Sequence, residues 1–113
     1  MSDDVAELLE LLDDEYARTI LVETHEEPMA ADALADACDA SPSTVYRRIE
    51  RLKEQRLLEA EQRIDPDGHH HEVYSACLQR ATVEVTTDGF RLEVDRTEDP
   101  ADRFTKLYEG FKG

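Results

Sequence analysis

Residues 34–59, LADACDASPSTVYRRIERLKEQRLLE, decide which fold this chain adopts. Ser41 followed by Pro42 predicts the start of a helix, because Ser is a preferred N-cap and Pro fits the first helical position, where its missing N–H needs no partner. Val45, Ile49 and Leu52 then recur at helical spacing, so one face of the helix should point into a core. We predict a helix over residues 42–55.

A shorter helix is expected just before it. Residues 29–40 are rich in Ala, and Leu34, Ala35 and Cys38 fall on one helical face. A tight turn around residues 39–40 would join the two helices. Two short helices joined in this way form a helix-turn-helix, and the small side chain of Ala35 suits a close crossing.

The segments upstream and downstream predict an α+β domain. Residues 5–12 and 16–24 each carry the apolar stripe of a helix. After the helix-turn-helix, residues 57–78 alternate as two strands around a Pro–Asp–Gly turn, and residues 81–95 repeat a hairpin pattern. Pro100 opens an expected last helix. The chain is therefore predicted to form one domain over all 113 residues.

This arrangement resembles the winged helix-turn-helix of ArsR- and PadR-type transcription regulators, over residues 13–78. Many one-domain regulators of haloarchaea share it, among them oxidative-stress regulators of the RosR type. The resemblance implies a homodimer that binds double-stranded operator DNA. The helix over residues 42–55 would enter the major groove, and the wing, residues 57–78, would touch flanking backbone or minor groove. One departure is Asp39, where the turn commonly has Gly, although Asp tolerates left-handed dihedrals.

The polar face of the helix over residues 42–55 has the chemistry for DNA contact. Arg can bind guanine O6 and N7 bidentately, and a helix N-terminus favours phosphate. Taken alone, the same face could be ordinary solvated surface. The contacts that the resemblance implies on this helix are Ser43, Thr44, Tyr46, Arg47, Arg48, Arg51 and Lys53, the last two on the DNA backbone. Those expected in the wing are Arg63, His69, His70 and His71.

The apolar stripe of the expected last helix could simply cap the domain core. Together, however, the apolar stripes at both ends exceed what a three-helix core needs. We therefore predict dimerisation through residues 1–14, residues 100–113 or both, since helix-turn-helix proteins commonly bind two half-sites as dimers. The expected interface residues are Val5, Leu8, Leu9, Leu12, Phe104, Leu107, Tyr108 and Phe111.

The charge is strongly negative and unevenly distributed. The formal net charge is −15, with 28 acidic and 13 basic residues, and only residues 41–63 are net positive. Acid excess with Arg preferred over Lys is typical of salt-accumulating haloarchaea, in which molar salt screens self-repulsion. An acidic mesophilic protein is the alternative. We expect cations at the DNA interface and binding that tolerates high salt.

Other chemistries are less well supported. His69, His70 and His71 could bind a metal ion, but three adjacent histidines in a strand cannot all face one ion. Cys38 could sense oxidants or metals, although its spacing favours core packing, and Cys77 lies on an expected strand. No Gly-rich phosphate loop or paired nucleophile and base is present, so we expect neither an enzyme nor a cofactor.

The remaining expectations concern the cellular location of the protein and its partners. The acidic N-terminus does not resemble a signal peptide, no apolar run is long enough to span a membrane, and two cysteines do not make a disulfide framework. A cytoplasmic protein that does not contact membranes is the simplest interpretation. The alternative to a DNA-binding regulator is a winged-helix module that binds protein within the transcription machinery.

Overall fold

The computed structural model describes residues 3–97, which form four helices followed by four strands. The helices are α1 (Asp3–Asp13), α2 (Glu15–Glu26), α3 (Ala31–Cys38) and α4 (Pro42–Glu54). The strands are β1 (Leu58–Ile64), β2 (His70–Ala76), β3 (Leu78–Thr86) and β4 (Gly89–Arg96). The expected last helix, with its four interface residues, lies outside the described residues. No helix within residues 3–97 is long and apolar enough to cross a membrane.

Asp14 separates α1 from α2 and starts the second helix. Its extended backbone (φ −81°, ψ 124°) stops α1, and its carboxylate accepts a hydrogen bond of 2.7 Å from the N–H of Ala17. This is the N-cap geometry expected of Asp. The buried face of α2 consists of Ala17, Ile20, Leu21 and Thr24, as the apolar stripe predicted.

The turn between α3 and α4 depends on Asp39. This residue adopts the left-handed conformation (φ 51°, ψ 47°) that the sequence required of it. The N–H of Asp39 donates to the carbonyl of Asp36, and the N–H of Ala40 donates to the carbonyl of Ala35. These two bonds form a Schellman motif, so the last carbonyls of α3 are satisfied. Ser41 then caps α4 through a hydrogen bond from the N–H of Thr44.

One hydrophobic core lies among the four helices and the first residues of the sheets. Its fully buried side chains include Leu11, Ile20, Leu34, Ile49, Leu52 and Leu57. Leu8, which the sequence placed at a dimer interface, is only 8% exposed and belongs to this core. That prediction is wrong for Leu8, because α1 packs on α2 and α4 of its own chain and buries the Leu8–Leu11 side of its stripe.

The wing is the antiparallel pair β1–β2, which begins within the core and then extends into solvent. Leu58 is buried, but the rest of β1 is exposed, including Ile64 at 67%. The alternation in β1 therefore does not mark a buried face, because the wing tip projects past the helices. At its root, the outer edge of β2 is held by two backbone hydrogen bonds between Tyr74 and Met29, of 2.8 and 3.0 Å.

The second antiparallel hairpin, β3–β4, forms a separate sheet and reaches back to α4. Arg96 donates through Nε to the carbonyl of Arg56 and through Nη2 to the carbonyl of Gln55, each at 3.0 Å. A guanidinium at the end of a helix satisfies its unpaired carbonyls and complements its dipole. The four helices with the wing hairpin form a winged helix-turn-helix, with β3–β4 added to the end of its second helix.

Candidate nucleic-acid interface

The solvent face of α4 is a stripe of five exposed residues. Its first half carries a hydroxyl, a phenol and a guanidinium, and its second half carries two carboxylates. In order, the residues are Ser43, Tyr46, Arg47, Glu50 and Glu54. They recur at i, i+3, i+4, i+7 and i+11, opposite the buried Val45, Ile49 and Leu52. We refer to this set as the outer stripe.

Hydroxyl groups surround the N-terminus of α4. The Ser41 hydroxyl donates to the Thr44 hydroxyl at 3.0 Å, and the hydroxyls of Ser41 and Ser43 lie 3.3 Å apart. Free N–H groups and the positive end of the helix dipole are found at such a terminus. Since N–H and hydroxyl groups all donate to phosphate oxygens, this end of α4 is suited to a DNA backbone.

Arg47 is the cation of the outer stripe. It is exposed and forms no ion pair with any residue in the range 3–97. Beside it, Tyr46 is 48% exposed and leaves a phenol facing solvent. The structure therefore places these two predicted contact residues where a groove of DNA could reach them.

Arg48 and Arg51 have a different environment from the one expected. Both lie on the flank of α4 that faces the two acidic helices. Arg48 Nε is 3.1 Å from Asp14 Oδ2, and Arg51 Nε is 2.8 Å from Glu7 Oε1. Both arginines are thus paired within the chain, and their expected contact with DNA stays a prediction. Their charges join α4 to the preceding helices.

The ion pairs on this flank are reinforced by further contacts. Arg51 Nη2 also reaches Glu10 at 3.2 Å, and the Arg48 guanidinium lies 5.7 Å from the ring centre of Tyr16. The hydrogen bond from Arg51 lowers the pKa of Glu7. Partial burial would raise the pKa of Asp14, but hydrogen bonds from Arg48 and from the Ala17 N–H outweigh it and lower that pKa. The carboxylates are therefore held ionised. No signal within α4 alone could have revealed these partners.

Lys53, near the end of α4, is partly neutralised. Lys53 lies 3.5 Å from Glu50, one turn away on the same helix. Glu50 and Glu54 bring negative charge to the second half of the outer stripe. The half of α4 that offers donors to DNA is therefore its N-terminal half, from Ser41 to Arg47.

The wing carries its expected residues at or near its tip. Arg63 and His71 are directly paired across β1 and β2, and so share one face. His69 and His70 are exposed, while His71 lies half-buried with Nδ1 3.3 Å from a carboxylate oxygen of Asp65. Gly68, at φ 86°, forms the turn that brings these residues to the tip. Donors are thus available on the wing, beyond the body of the domain.

The histidines of the wing and the two cysteines were considered above for metal binding or sensing. Within residues 3–97, no three His, Cys, Asp or Glu side chains are grouped closely enough to hold a metal ion. Burial, with the nearby acids, raises the pKa of the Cys38 thiol. Burial and Glu59 raise the pKa of Cys77 to about 11. A raised pKa keeps both thiols protonated, which is the less reactive form.

Comparison with known proteins agrees with this architecture. Residues 11–61 match the family model described as a helix-turn-helix domain. Among solved structures, NolR from Sinorhizobium fredii superposes with a TM-score of 0.52 at 26% sequence identity, over 66% of this chain and 69% of NolR. No curated protein matches the chain. Domain match and fold together point to a DNA-binding transcription regulator.

Proposed function

We propose that this protein is a sequence-specific DNA-binding transcription regulator that acts as a homodimer at high salt. The observation that carries the proposal is the outer stripe, in which Ser43, Tyr46 and Arg47 are presented together at the N-terminal end of α4. Residues at the start of the second helix are those that read base edges in helix-turn-helix proteins.

Each part of the surface has a distinct role in this proposal. Arg47 reads a base in the major groove, Tyr46 contacts a thymine methyl or a phosphate, and the hydroxyls at the start of α4 bind backbone. In the wing, Arg63 and the three histidines contact the flanking backbone or minor groove. Arg48 and Arg51 fix the angle of α4 through their ion pairs, and contact phosphate only as a second role.

A dimer is part of the proposal because one α4 reads only a short half-site. Leu9 and Leu12 on α1 are half-buried within the chain and retain apolar surface that a second copy can cover. Two copies related by a two-fold axis would place two helices about one DNA turn, roughly 34 Å, apart.

The test measures binding to a duplex that the wild-type protein selects from a random-sequence pool in molar KCl. Arg47→Ala should weaken binding to the selected duplex by about 1–3 kcal/mol, the usual cost of losing a bidentate base contact. The control is Arg80→Ala, which removes an exposed arginine and its ion pair with Asp95 from the β3–β4 hairpin, away from α4. A footprint of two half-sites is expected on the selected duplex.

Two results would contradict the proposal. If the pool yields no selected duplex, the chain does not read DNA sequence, and the winged-helix module that binds protein becomes the better hypothesis. The acidic half of the outer stripe, Glu50 and Glu54, is the observation that favours that second function. If Arg47→Ala and Arg80→Ala bind equally well, α4 is not the reading helix.

A further inference from the structure

A cavity of about 290 Å³ lies between the start of α3, the outer stripe of α4 and strand β2 of the wing. It is lined by residues 30–32, Tyr46, His71, Glu72 and Tyr74. Its volume is close to the lower limit of small-molecule sites, about 300 Å³, and roughly ten times the volume of one water molecule. The cavity therefore has room for a compact organic molecule.

The walls of the cavity are fixed by the fold. Two backbone hydrogen bonds join Met29 to Tyr74, and so hold the segment before α3 against β2. Ala30 and Ala31 follow directly, and their small side chains leave open the space that a larger side chain would fill. Tyr74 is only 2% exposed, so its ring is held in place by the core. A site whose walls are already in place loses little conformational entropy on binding.

The lining combines negative charge with aromatic rings. Asp32 and Glu72 supply two carboxylates, and the residues of the range 3–97 that line the cavity include no lysine or arginine. The Tyr74 hydroxyl donates to Glu72 Oε2 at 2.8 Å, which fixes the position of that carboxylate. The imidazole of His71 is directed to a different acid, with Nδ1 3.3 Å from Asp65. Within the described part of the chain, neither Asp32 nor Glu72 forms an ion pair, so their charge is open to a ligand.

We propose that this cavity binds a small organic cation of the quaternary ammonium class. Such a cation is attracted to the faces of aromatic rings, and its alkyl groups suit an apolar wall. Tyr46 and Tyr74 supply the rings, and Asp32 and Glu72 supply the opposite charge. A bare metal ion is a poorer match, because no three His, Cys, Asp or Glu side chains within residues 3–97 are grouped closely enough to hold one.

The phenol of Tyr74 responds to the negative potential around the cavity. Burial raises the pKa of this phenol, and its hydrogen bond to Glu72 and the nearby Tyr46 and Glu50 raise that pKa further. Glu50, on the outer stripe, is therefore close enough to add to the field. Charges that disfavour an ionised phenol favour a cation at the same place.

The first experiment titrates the full chain with choline, a quaternary ammonium probe, and follows the amide signals by NMR. It is done in constant high KCl without DNA, so its outcome does not depend on the proposed DNA binding. The amide signals of Ala31, Tyr46 and Glu72 should shift and reach saturation, while those of the β3–β4 hairpin should not move. The matched control ligand is 3,3-dimethyl-1-butanol, in which carbon replaces the ammonium nitrogen, and it should bind at least about fivefold more weakly.

The second experiment repeats the choline titration on variants. Glu72→Gln removes one negative charge, while the amide oxygen of Gln can still accept the hydrogen bond from Tyr74. Tyr46→Leu removes an aromatic ring from an exposed position. Each change should raise the Kd for choline at least about threefold. The matched control is Glu61→Gln, which makes the same charge change opposite Val73, on the other face of the wing from Glu72, and should leave the Kd unchanged.

Four results would overturn the proposal. Absence of a saturable shift with choline would show that the cavity does not bind the cation. Equal binding of choline and its neutral isostere would show that the cavity selects shape and not charge. A wild-type Kd in either Glu72→Gln or Tyr46→Leu would place the bound choline elsewhere. Shifts spread over the acidic helices α1 and α2 would indicate only a general attraction of cations to an acidic protein.

Discussion

Neighbouring arginines on α4 serve different purposes because a helix turns by about 100° per residue. Arg47 lies on the outer stripe, whereas Arg48 faces α2 and pairs with Asp14. The cluster of positive charge at residues 47–56 is therefore partly a means of joining an acidic pair of helices to the helix that they support. The role of each arginine on α4 depends on its angular position around the helix axis more than on its charge.

Asp39 offers a test of backbone conformation at a single residue. Its left-handed dihedrals are costly for a residue with a Cβ and free for Gly. We expect Asp39→Gly to raise the free energy of unfolding by about 0.5 kcal/mol, since Gly is the preferred residue at this position of a Schellman motif. Chemical denaturation in constant high KCl measures it.

The control at the same position is Asp39→Ala, which retains a Cβ and should not stabilise the protein. Equal free energies of unfolding for the Gly and Ala variants would mean that the left-handed dihedrals at position 39 do not destabilise the folded state. Arg56, the other described non-glycine residue with positive φ, provides a second site for the same comparison, at φ 60°.

At the level of helices and strands, single side chains fix the angles between elements. Asp14 caps α2 and pairs with Arg48 of α4, so one carboxylate joins two helices. Arg96 does the same for the β3–β4 hairpin, by capping the end of α4. Charged residues of other elements thus contact α4, which presents the outer stripe, near its middle through Asp14 and at its C-terminal end through Arg96.

The ion pair of Asp14 predicts how stability depends on pH. Its pKa is lowered in the folded state, so its contribution is complete above the ordinary Asp pKa of about 4 and is lost as pH falls through the folded value. Asp14→Asn keeps an N-cap but removes the charge. We expect it to cost about 1 kcal/mol at pH 7 and progressively less below pH 4.

Thermal unfolding over a pH series in constant salt measures this difference. Asp13→Asn, at the exposed neighbouring position, is the matched control for loss of one negative charge. A cost of Asp14→Asn that stays constant down to pH 2 would show that the ionised carboxylate does not bind Arg48 in solution.

Across the whole molecule, the acidic surface should govern how the proposed DNA binding depends on salt. Residues 1–40 hold 13 acidic residues and one basic residue, and docking brings them towards a polyanion. Ordinary DNA-binding proteins lose affinity as salt rises, because their basic residues displace condensed cations. Here most basic residues near α4 already have acidic partners, so we expect cations to enter the proposed interface with the protein.

We therefore expect affinity for the selected duplex to stay level or rise with KCl into the molar range. Glu50→Gln with Glu54→Gln should remove part of the rise, since both acids lie on the outer stripe that would face phosphate. Asp88→Asn with Glu93→Gln, on the β3–β4 hairpin, is the matched control. Titrations across a KCl series measure the slope, and a steep fall shared by all three proteins would exclude cation uptake.

The sequence by itself determined the local elements and their order. Ser41–Pro42 started α4, and apolar spacing identified the buried faces of α2 and α4, because capping and periodicity act between residues a few positions apart. These signals were sufficient to predict a winged helix-turn-helix and to place Arg47 and the wing tip on the surface.

Only the tertiary structure decided which partners distant residues have. The pairs of Arg51 with Glu7, Arg48 with Asp14, and Arg96 with the end of α4 join residues 34 to 44 positions apart. The burial of Leu8 likewise depends on the packing of α1 against other helices. Such contacts depend on how helices pack in space. A periodic pattern records that a residue faces inward or outward, but not which side chain it meets there.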